Sequence, residues 1–465
     1  MDPHMKALRD TQPACFWLDQ EADRPAACAS LEEDEEADLV IVGGGFTGLW
    51  AALQAKEADP RREVVLLEAD RIAEGASGRN GGFADPSLTH GLANGLAHFP
   101  EEIEAIHSLG HENYRDFISS IERHGIDARV EETGILDVAM AKYQISDLHE
   151  YASLLERFGE NPRFLDRDEL RAELDSPTYL AGVFRPKASI LDPARLAWGL
   201  LAAIRKLGVR VYEETALVGL SRRGAEMEVQ TPRGRVRARR CVMATNAFKS
   251  PLGKMRRATV PIWDYVVVTE PLSEDMLGAL GWRNRQGIGE DTNQFHYYRL
   301  TRDNRILWGG YDAIYHYGNR MLPSHQQRQV SFEGLARRFF NTFPQLEGLR
   351  FSHSWGGPIA STTRFCLDVG TAHGGRVSWA VGYTGLGVVA SRFGGRMALN
   401  LLDRPDAPEM NLSLIRKRAF PWPPEPLRSF VIGVTQRELA RADRNQGRRG
   451  PWLALLDRLG LGFDS

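Results

Sequence analysis

Cysteine is scarce. Cys15, Cys28, Cys241 and Cys366 are scattered along 465 residues, and no Cys-x-x-Cys pair occurs. This spacing supports neither a zinc site nor a disulfide framework, so no metal is expected and reduced thiols in a cytosol are the simpler expectation. Long apolar runs are missing as well. The first thirty residues lack a signal-peptide core, and no stretch approaches the roughly 18 apolar residues of a membrane span, which points to a cytoplasmic protein without a membrane partner. Lysine is the third scarcity: there are eight, none of them between residues 255 and 354. A formal net charge of −3 gives no reason to expect nucleic acid as a partner.

What is present is a globular composition, 43% hydrophobic and 26% charged. The length suggests about two or three domain-sized units. The chain is organised around residues 38–82. Leu39 to Val42 form an apolar run fit for a strand buried on both faces. Gly43, Gly45 and Gly48 follow, then an Ala- and Leu-rich helix from Leu49 to Lys56. In such a turn Gly43 permits the bend, Gly45 lets backbone approach a pyrophosphate, and Gly48 lets helix and strand pack closely. The helix N-terminus presents unpaired N–H groups and a positive dipole end. A second apolar strand, Glu63 to Glu68, ends in a carboxylate placed to accept hydrogen bonds from ribose hydroxyls. The acid disfavours a 2′-phosphate, so NADP is the poorest fit; FAD and NAD are not separated by this stretch.

Residues 1–37 read as a solvated arm with the acidic run 32–36, although Cys15-Phe16-Trp17-Leu18 offers apolar surface that can dock. Gly75-Ala-Ser77-Gly-Arg79-Asn80-Gly81-Gly82 is too glycine-rich for core packing. It is read as backbone passing close over a flat ligand, with Arg79 and Asn80 free to contact it. Helices are expected at 100–111, 112–124 and 146–158, and a strand at 134–139. Asp192 and Pro193 open a helix that stops at Gly208. Short strands follow at 209–213, 216–221, 226–231, 235–239 and 241–244, the last running into Ala244-Thr245-Asn246-Ala247. Further strands are expected at 260–269, 295–300 and 305–309, with a helix at 331–341. Aromatics cluster there, and Tyr265, His296, Tyr297 and Tyr298 are the candidate walls of an apolar pocket, though in a two-sided sheet half should face a core. Val377 to Val381, the turn Gly382-Tyr383-Thr384-Gly385-Leu386-Gly387 and a helix 388–402 make a second strand–turn–helix. Its helix N-terminus suits developing negative charge on a flavin ring. Residues 403–465 are Pro- and Arg-rich, with helices at 435–442 and 451–459.

These motifs, in this order, resemble the FAD-dependent amine and amino-acid oxidase superfamily of the D-amino acid oxidase and glycine oxidase type, most of all its gamma-glutamylputrescine oxidase-like branch. The resemblance covers about residues 38–402. It implies an α/β (α+β) fold: a Rossmann-type FAD domain from 1–90, 186–255 and 355–410, a substrate domain with a large antiparallel sheet and helices from 91–185 and 256–354, and a C-terminal arm, 411–465. By analogy Gly43, Gly44, Gly45, Phe46, Thr47 and Gly48 hold the pyrophosphate, and Glu68 and Ala69 the ribose. Ser77, Arg79, Asn80, Gly81 and Gly82 lie near phosphate and ring, Leu217 near adenine, Ala244 to Asn246 near the ligand, and Gly382 to Gly387 against the ring's N1/C2 edge.

Departures from the family pattern sharpen the reading. Glycine oxidase-like members clamp the substrate carboxylate with an Arg shortly after a Trp-x-Gly element. Here Trp355-Gly-Gly-Pro-Ile-Ala-Ser has none before Arg364. Loss of a bidentate clamp argues for an amine substrate, while Arg299 or Arg364 as a replacement keeps an amino-acid or aminophosphonate oxidase open. Covalent-flavin members carry a His near the position of Arg79 or a Cys near Trp355; neither occurs, so FAD is expected to be noncovalent. The oxygen-activating Lys of sarcosine oxidase-like members is also missing, although O2 remains the expected acceptor. The implied reaction is hydride transfer from the carbon beside a neutral amine to flavin N5, with hydrolysis of the imine to an aldehyde. A flavoprotein subunit without catalysis of its own is the alternative from another class.

Overall fold

The computed structural model describes residues 3–20 and 22–461. Its first sheet grows from the apolar run at the start of the glycine motif. Strand Glu35–Val42 pairs in parallel with Val64–Leu67 on one side and Arg235–Met243 on the other; Arg210–Tyr212 and Val377–Val381 extend the parallel set outward. Antiparallel strands Asp368–Ala372, Gly219–Arg223 and Glu226–Gln230 complete eight. Leu39–Val42 and Val64–Leu67 can be uniformly apolar because both faces are covered: helices Phe46–Ala58, Pro193–Lys206 and Gly387–Asp403 share a core with Leu39, Ile41, Val64 and Leu66, and Leu31, Met227, Val229, Leu252 and Met255 share one with Val40, Val42, Val65 and Leu67. The strand is longer than expected. Glu35 and Glu36 belong to it, since Glu35 accepts from the Tyr212 hydroxyl at 2.6 Å and pairs with Arg210. The expected pieces 235–239 and 241–244 are one strand, because Val236 and Ala238 alternate inward and Arg240, only partly buried, stays in register with Leu39.

The second sheet has nine strands. In order they are Ile314–Tyr315, Val260–Thr269, Ile306–Gly310, His296–Leu300, Gly287–Glu290, Ile135–Ala139, Ala181–Arg185 and Arg163–Leu165, with Phe351–Ser361 paired along the whole of Val260–Thr269. All neighbours are antiparallel except Gly287–Glu290 against Ile135–Ala139. Helix Gln329–Thr342 packs an aromatic face, Phe332, Phe339 and Phe340, against one side of this sheet. Phe351–Ser361 belongs to the second sheet as a unit, so we propose that the chain returns to the first domain after Ser361 rather than at 355.

Two expectations about helices and termini are corrected. The segments 100–111 and 112–124 form one helix, Ile103–Arg123. Gly110 does not break it; a Cβ there would lie 2.3 Å from the Pro86 carbonyl oxygen, so this glycine lets helix and loop touch. The N-terminal arm is solvated only in part, and its apolar segment docks as that segment allowed. Cys15, Trp17, Leu18 and Leu31 are buried, and Gln12 exchanges backbone hydrogen bonds with Ser352 and Ser354. Burying a Trp and two Leu side chains contributes roughly 1.5–3 kcal/mol each, enough to fix an otherwise polar segment.

The two helices that follow the glycine turns, Phe46–Ala58 and Gly387–Asp403, lie against each other. A Cβ on Gly395 would stand 3.0 Å from the Ala51 amide nitrogen and 3.2 Å from the Thr47 carbonyl oxygen. Gly395→Leu therefore forces the helices apart and is expected to lower the unfolding free energy by about 1–3 kcal/mol. Urea unfolding followed by circular dichroism checks it.

Candidate functional site

The first turn is set by steric necessity. Gly43 has φ +114°, and a Cβ on it would lie 2.6 Å from the Ala244 carbonyl oxygen. Ala244 in turn donates its amide to the Val42 carbonyl at 2.8 Å, which locks the end of one strand to the next. Gly48 sits inside the helix, with its Cα over the Gly43 carbonyl. At the end of the second strand, Glu68 accepts from the Gly44 amide (2.6 Å) and the Asp70 amide (3.0 Å). Burial raises its carboxyl above the ordinary range, and these amides work the other way.

The second turn meets the first. Thr47 Oγ1 and the Tyr383 hydroxyl share a hydrogen bond of 2.7 Å, and the Gly382 amide donates to Asn246 Oδ1 at 3.3 Å. Ser77 closes the group by accepting from the Phe46 amide at 2.8 Å. Loops 75–82 and 382–387, distant in sequence, thus wall one cavity of about 1700 Å³. Of the residues expected around a cofactor, Gly45, Phe46, Thr47, Ser77, Arg79, Asn80, Gly81, Ala244, Asn246, Tyr383, Thr384, Gly385, Leu386 and Gly387 reach its wall. Gly43, Gly44, Gly48, Gly82, Thr245 and Gly382 lie behind it in the turns, Glu68 is tied to Gly44, and Ala69 is exposed. Leu217 packs against the Val40 and Val65 core, away from the cavity wall.

The glycine-rich loop is built differently from the expectation. Asn80 is not free: its amide donates to the Ala76 and Ser77 carbonyls, and its Oδ1 accepts from the Gly82 amide. Arg79 is not free either, since Glu74 and Gln326 take its guanidinium. A Cβ on Gly81 would strike the Tyr297 ring at 2.8 Å, and one on Gly82 the Leu191 carbonyl at 2.0 Å. These glycines serve contact between protein segments, and the loop turns Ala76, Ser77 and Arg79 toward the cavity.

Strand alternation decides the opposite wall. Ile262, Asp264 and Val266 face the cavity, as does Tyr297 across the sheet. Tyr265, His296 and Tyr298, expected beside Tyr297 as pocket walls, face away. Tyr265 donates to the His325 carbonyl (3.0 Å), Tyr298 shares a hydrogen bond with Tyr179 (2.6 Å), and His296 pairs with Glu290 (2.6 Å) while stacking on Trp308. All three are packed in the core beneath the sheet or against its edge. The two candidate clamps are likewise consumed. Arg299 donates to the Leu191 and Leu300 carbonyls with its guanidinium over Trp17, and Arg364 donates to the Lys417, Leu367 and Leu414 carbonyls. Neither reaches the cavity wall.

Asp264 does reach it, and the sequence reading missed it. The aromatic neighbours Trp263 and Tyr265 drew attention, yet period-two alternation within 260–269 already places Asp264 on the face they leave. Tyr297 donates to Asp264 Oδ2 at 2.6 Å. Burial pushes the Asp264 carboxyl up to about 6, with the Tyr297 hydrogen bond opposing and Asp312 reinforcing. The C-terminal helices Leu427–Arg444 and Pro451–Arg458 were also unassigned; Val431, Leu439, Trp452 and Leu453 form an apolar stretch of the same wall.

A parallel sheet whose two glycine-hinged helix tips meet at one cavity, under an antiparallel roof, defines a dinucleotide-cofactor oxidoreductase. Residues 38–401 match the family described as FAD dependent oxidoreductase, and the chain belongs to that family. It is 33% identical to gamma-glutamylputrescine oxidoreductase of Escherichia coli (strain K12), over 85% of this chain and 90% of that protein. It is 29% identical to the probable oxidoreductase OrdL of Haemophilus influenzae over 79% of this chain and 83% of that one. Among solved structures it resembles glycine oxidase from Geobacillus kaustophilus, with a TM-score of 0.67 at 19% identity, covering 80% of this chain and 95% of that chain. The chain is an FAD-dependent oxidoreductase of this branch, and no described helix is long and apolar enough to cross a membrane.

The residues present fit FAD bound noncovalently. The Gly45–Thr47 helix tip reaches the cavity wall beside Ser77, and the Glu68 carboxylate stands at the neighbouring strand end. The two positions where covalent members attach the flavin are joined to each other: buried Trp355 donates its Nε1 to the Arg79 carbonyl at 3.0 Å. Cys366 is a buried free thiol.

A carboxyl raised by burial makes stability fall as pH rises. Between its ordinary value near 4 and about 6, Asp264 binds a proton in the folded chain and not in the unfolded one, so ionisation above pH 6 costs stability. Asp264→Asn is expected to melt higher than wild type at pH 8 and to lose that advantage below pH 4. Thermal melts of both proteins across this range test the sign.

Proposed function

We propose that the protein oxidises the C–N bond of a small amine that carries no carboxylate beside the reacting carbon. One observation carries the reading: at the roof of the cavity stands a carboxylate, Asp264, while both arginines able to clamp a substrate carboxylate are spent on backbone carbonyls. Bound FAD supplies the hydride acceptor, and the substrate imine left behind hydrolyses to an aldehyde and an amine or ammonia. Asp264 holds the incoming ammonium and takes its proton, which must leave before the neighbouring carbon gives up hydride. Tyr297 fixes the carboxylate through its hydroxyl. Ile262, Val266 and Pro358 make the surrounding surface apolar, which favours the neutral amine.

The likeness to gamma-glutamylputrescine oxidoreductase supports a substrate built on a diamine, and O2 is the acceptor in this reading. Pyrophosphate and flavin contacts fall to the residues named around the two turns. The four free thiols and the lack of any described membrane-spanning helix support a cytosolic setting.

Anaerobic mixing with a panel of carboxylate-free amines, gamma-glutamylputrescine, sarcosine and glycine tests the reading by loss of flavin absorbance. Amines without an adjacent carboxylate are expected to bleach the flavin, and Asp264→Asn to slow that bleaching about 10²-fold. Rapid reduction by sarcosine or glycine, with every other amine inert, would make the protein an amino-acid oxidase.

A further inference from the structure

The roof sheet carries a second carboxylate on the same face as Asp264. Gly289 pairs with Tyr297, Tyr297 with Gly309, and Gly309 with Val266. Residues paired in this way share a face and a level. Asp291 lies two residues beyond Gly289, and Asp264 two residues before Val266 on a strand of opposite direction. Carried two residues past these pairs, the register puts the acids at one height and about three strand spacings apart, or about 14 Å, and both line the cavity. Asp291 continues the pairing by donating its amide to the Val138 carbonyl at 2.9 Å, and it lines the same cavity.

Asp291 also lacks what its neighbours have. Asp85 and Asp137 share Arg185, Glu290 holds His296, and Asp312 holds Arg328 and Ser331. Asp264 has Tyr297. The half-buried carboxylate of Asp291 has no hydrogen-bond or ion-pair partner among the described residues. Burial, then the charges of Asp137 and Asp147, push it up to about 7. A cation at this point would relieve both the desolvation and the repulsion. The C-terminal helices supply apolar surface to the same cavity, Val431, Leu439 and Trp452.

We propose that Asp291 is a subsite for a second ammonium group, so that the substrate is an extended amine with cationic groups at both ends and an aliphatic middle. This rests on the amine reading above, with the reacting end at Asp264. Allowing about 2.8 Å for each ammonium–carboxylate contact leaves roughly 8 Å between the nitrogens, near the reach of diaminohexane and beyond that of diaminobutane.

The test is anaerobic flavin reduction of the FAD-loaded protein by hexylamine, diaminobutane and diaminohexane, with wild type and Asp291→Asn. Diaminohexane is expected to half-saturate reduction at about a tenfold lower concentration than hexylamine, an advantage that shrinks at high salt and falls within twofold in Asp291→Asn. The limiting rate with hexylamine stays unchanged in that variant, which separates loss of the subsite from loss of the fold. Equal half-saturation by hexylamine and diaminohexane in wild type overturns the subsite while leaving the amine reading intact. An advantage that persists in Asp291→Asn overturns the assignment to Asp291. If no amine reduces the flavin in either protein, the amine reading itself has failed, and the subsite with it.

Discussion

The closeness of two helices governs this molecule. Phe46–Ala58 and Gly387–Asp403 begin at glycine turns more than 300 residues apart in sequence. They come into contact because Gly395 lets backbone lie on backbone and because Thr47 and Tyr383 join at the top of the contact. Each helix start carries N–H groups without a partner inside the helix, of which the Phe46 amide is taken by Ser77, and a partial positive charge. Placing two such ends at one cavity prepares it for a ligand that is anionic at one point and gains electron density at another, as a flavin dinucleotide does when reduced. Helices separated by a further side-chain layer would leave one end facing the cavity and the other facing protein.

The roof obeys a different constraint. A sheet in this position has a core face and a cavity face, and its residues alternate between them. Aromatics fill the core face: Trp263, Tyr265, Tyr298 and Trp308 share one core with Phe332, Phe339 and Phe343, Tyr298 stacking on Trp308 and the phenylalanines meeting Tyr265, Tyr298 and Trp308 edge to face. The cavity face keeps smaller apolar residues and two acids, Asp264 and Asp291, that have no cation of their own among the described residues. Such acids oppose folding, since ionising a desolvated carboxylate costs free energy. Their retention where apolar residues would stabilise the sheet is the pattern expected of a site that trades stability for recognition.

The cofactor half was legible in the sequence because its signals are local. Gly43, Gly45, Gly48 and Glu68 sit at spacings fixed by one strand–turn–helix–strand unit, and Asp192-Pro193 caps its helix as the pattern demands, with Asp192 accepting from the Arg195 amide at 3.1 Å. The substrate half depends on which way a strand faces. That is set by long-range pairing, and a run such as His296-Tyr297-Tyr298 is aromatic on both faces. Gly81 and Gly82, read as backbone close to a ligand, also make room for Tyr297 and Leu191, and Gly110, on which nothing was read, makes room for Pro86. In the N-terminal arm the acidic run favoured solvent and Cys15-Phe16-Trp17-Leu18 favoured docking, and the apolar residues decide where it lies. Trp17 donates to the Asn80 carbonyl at 2.9 Å and so braces the very loop that walls the cavity.

The division follows from what each half must recognise. FAD has one shape, so the turns that could hold it are constrained residue by residue, and the family match runs from 38 to 401, through both of them. The helices Leu427–Arg444 and Pro451–Arg458 lie beyond that span yet contribute Val431, Leu439, Trp452 and Leu453 to the cavity. A wall supplied from outside the shared region can change its shape without disturbing the helix contact on which cofactor geometry depends. In the proposed reading the chemistry at the flavin can then stay constant while the length and character of the amine are set by Asp291, the roof strands and these two helices. Likeness at 33% identity over most of the chain therefore speaks more strongly for the reaction than for the substrate.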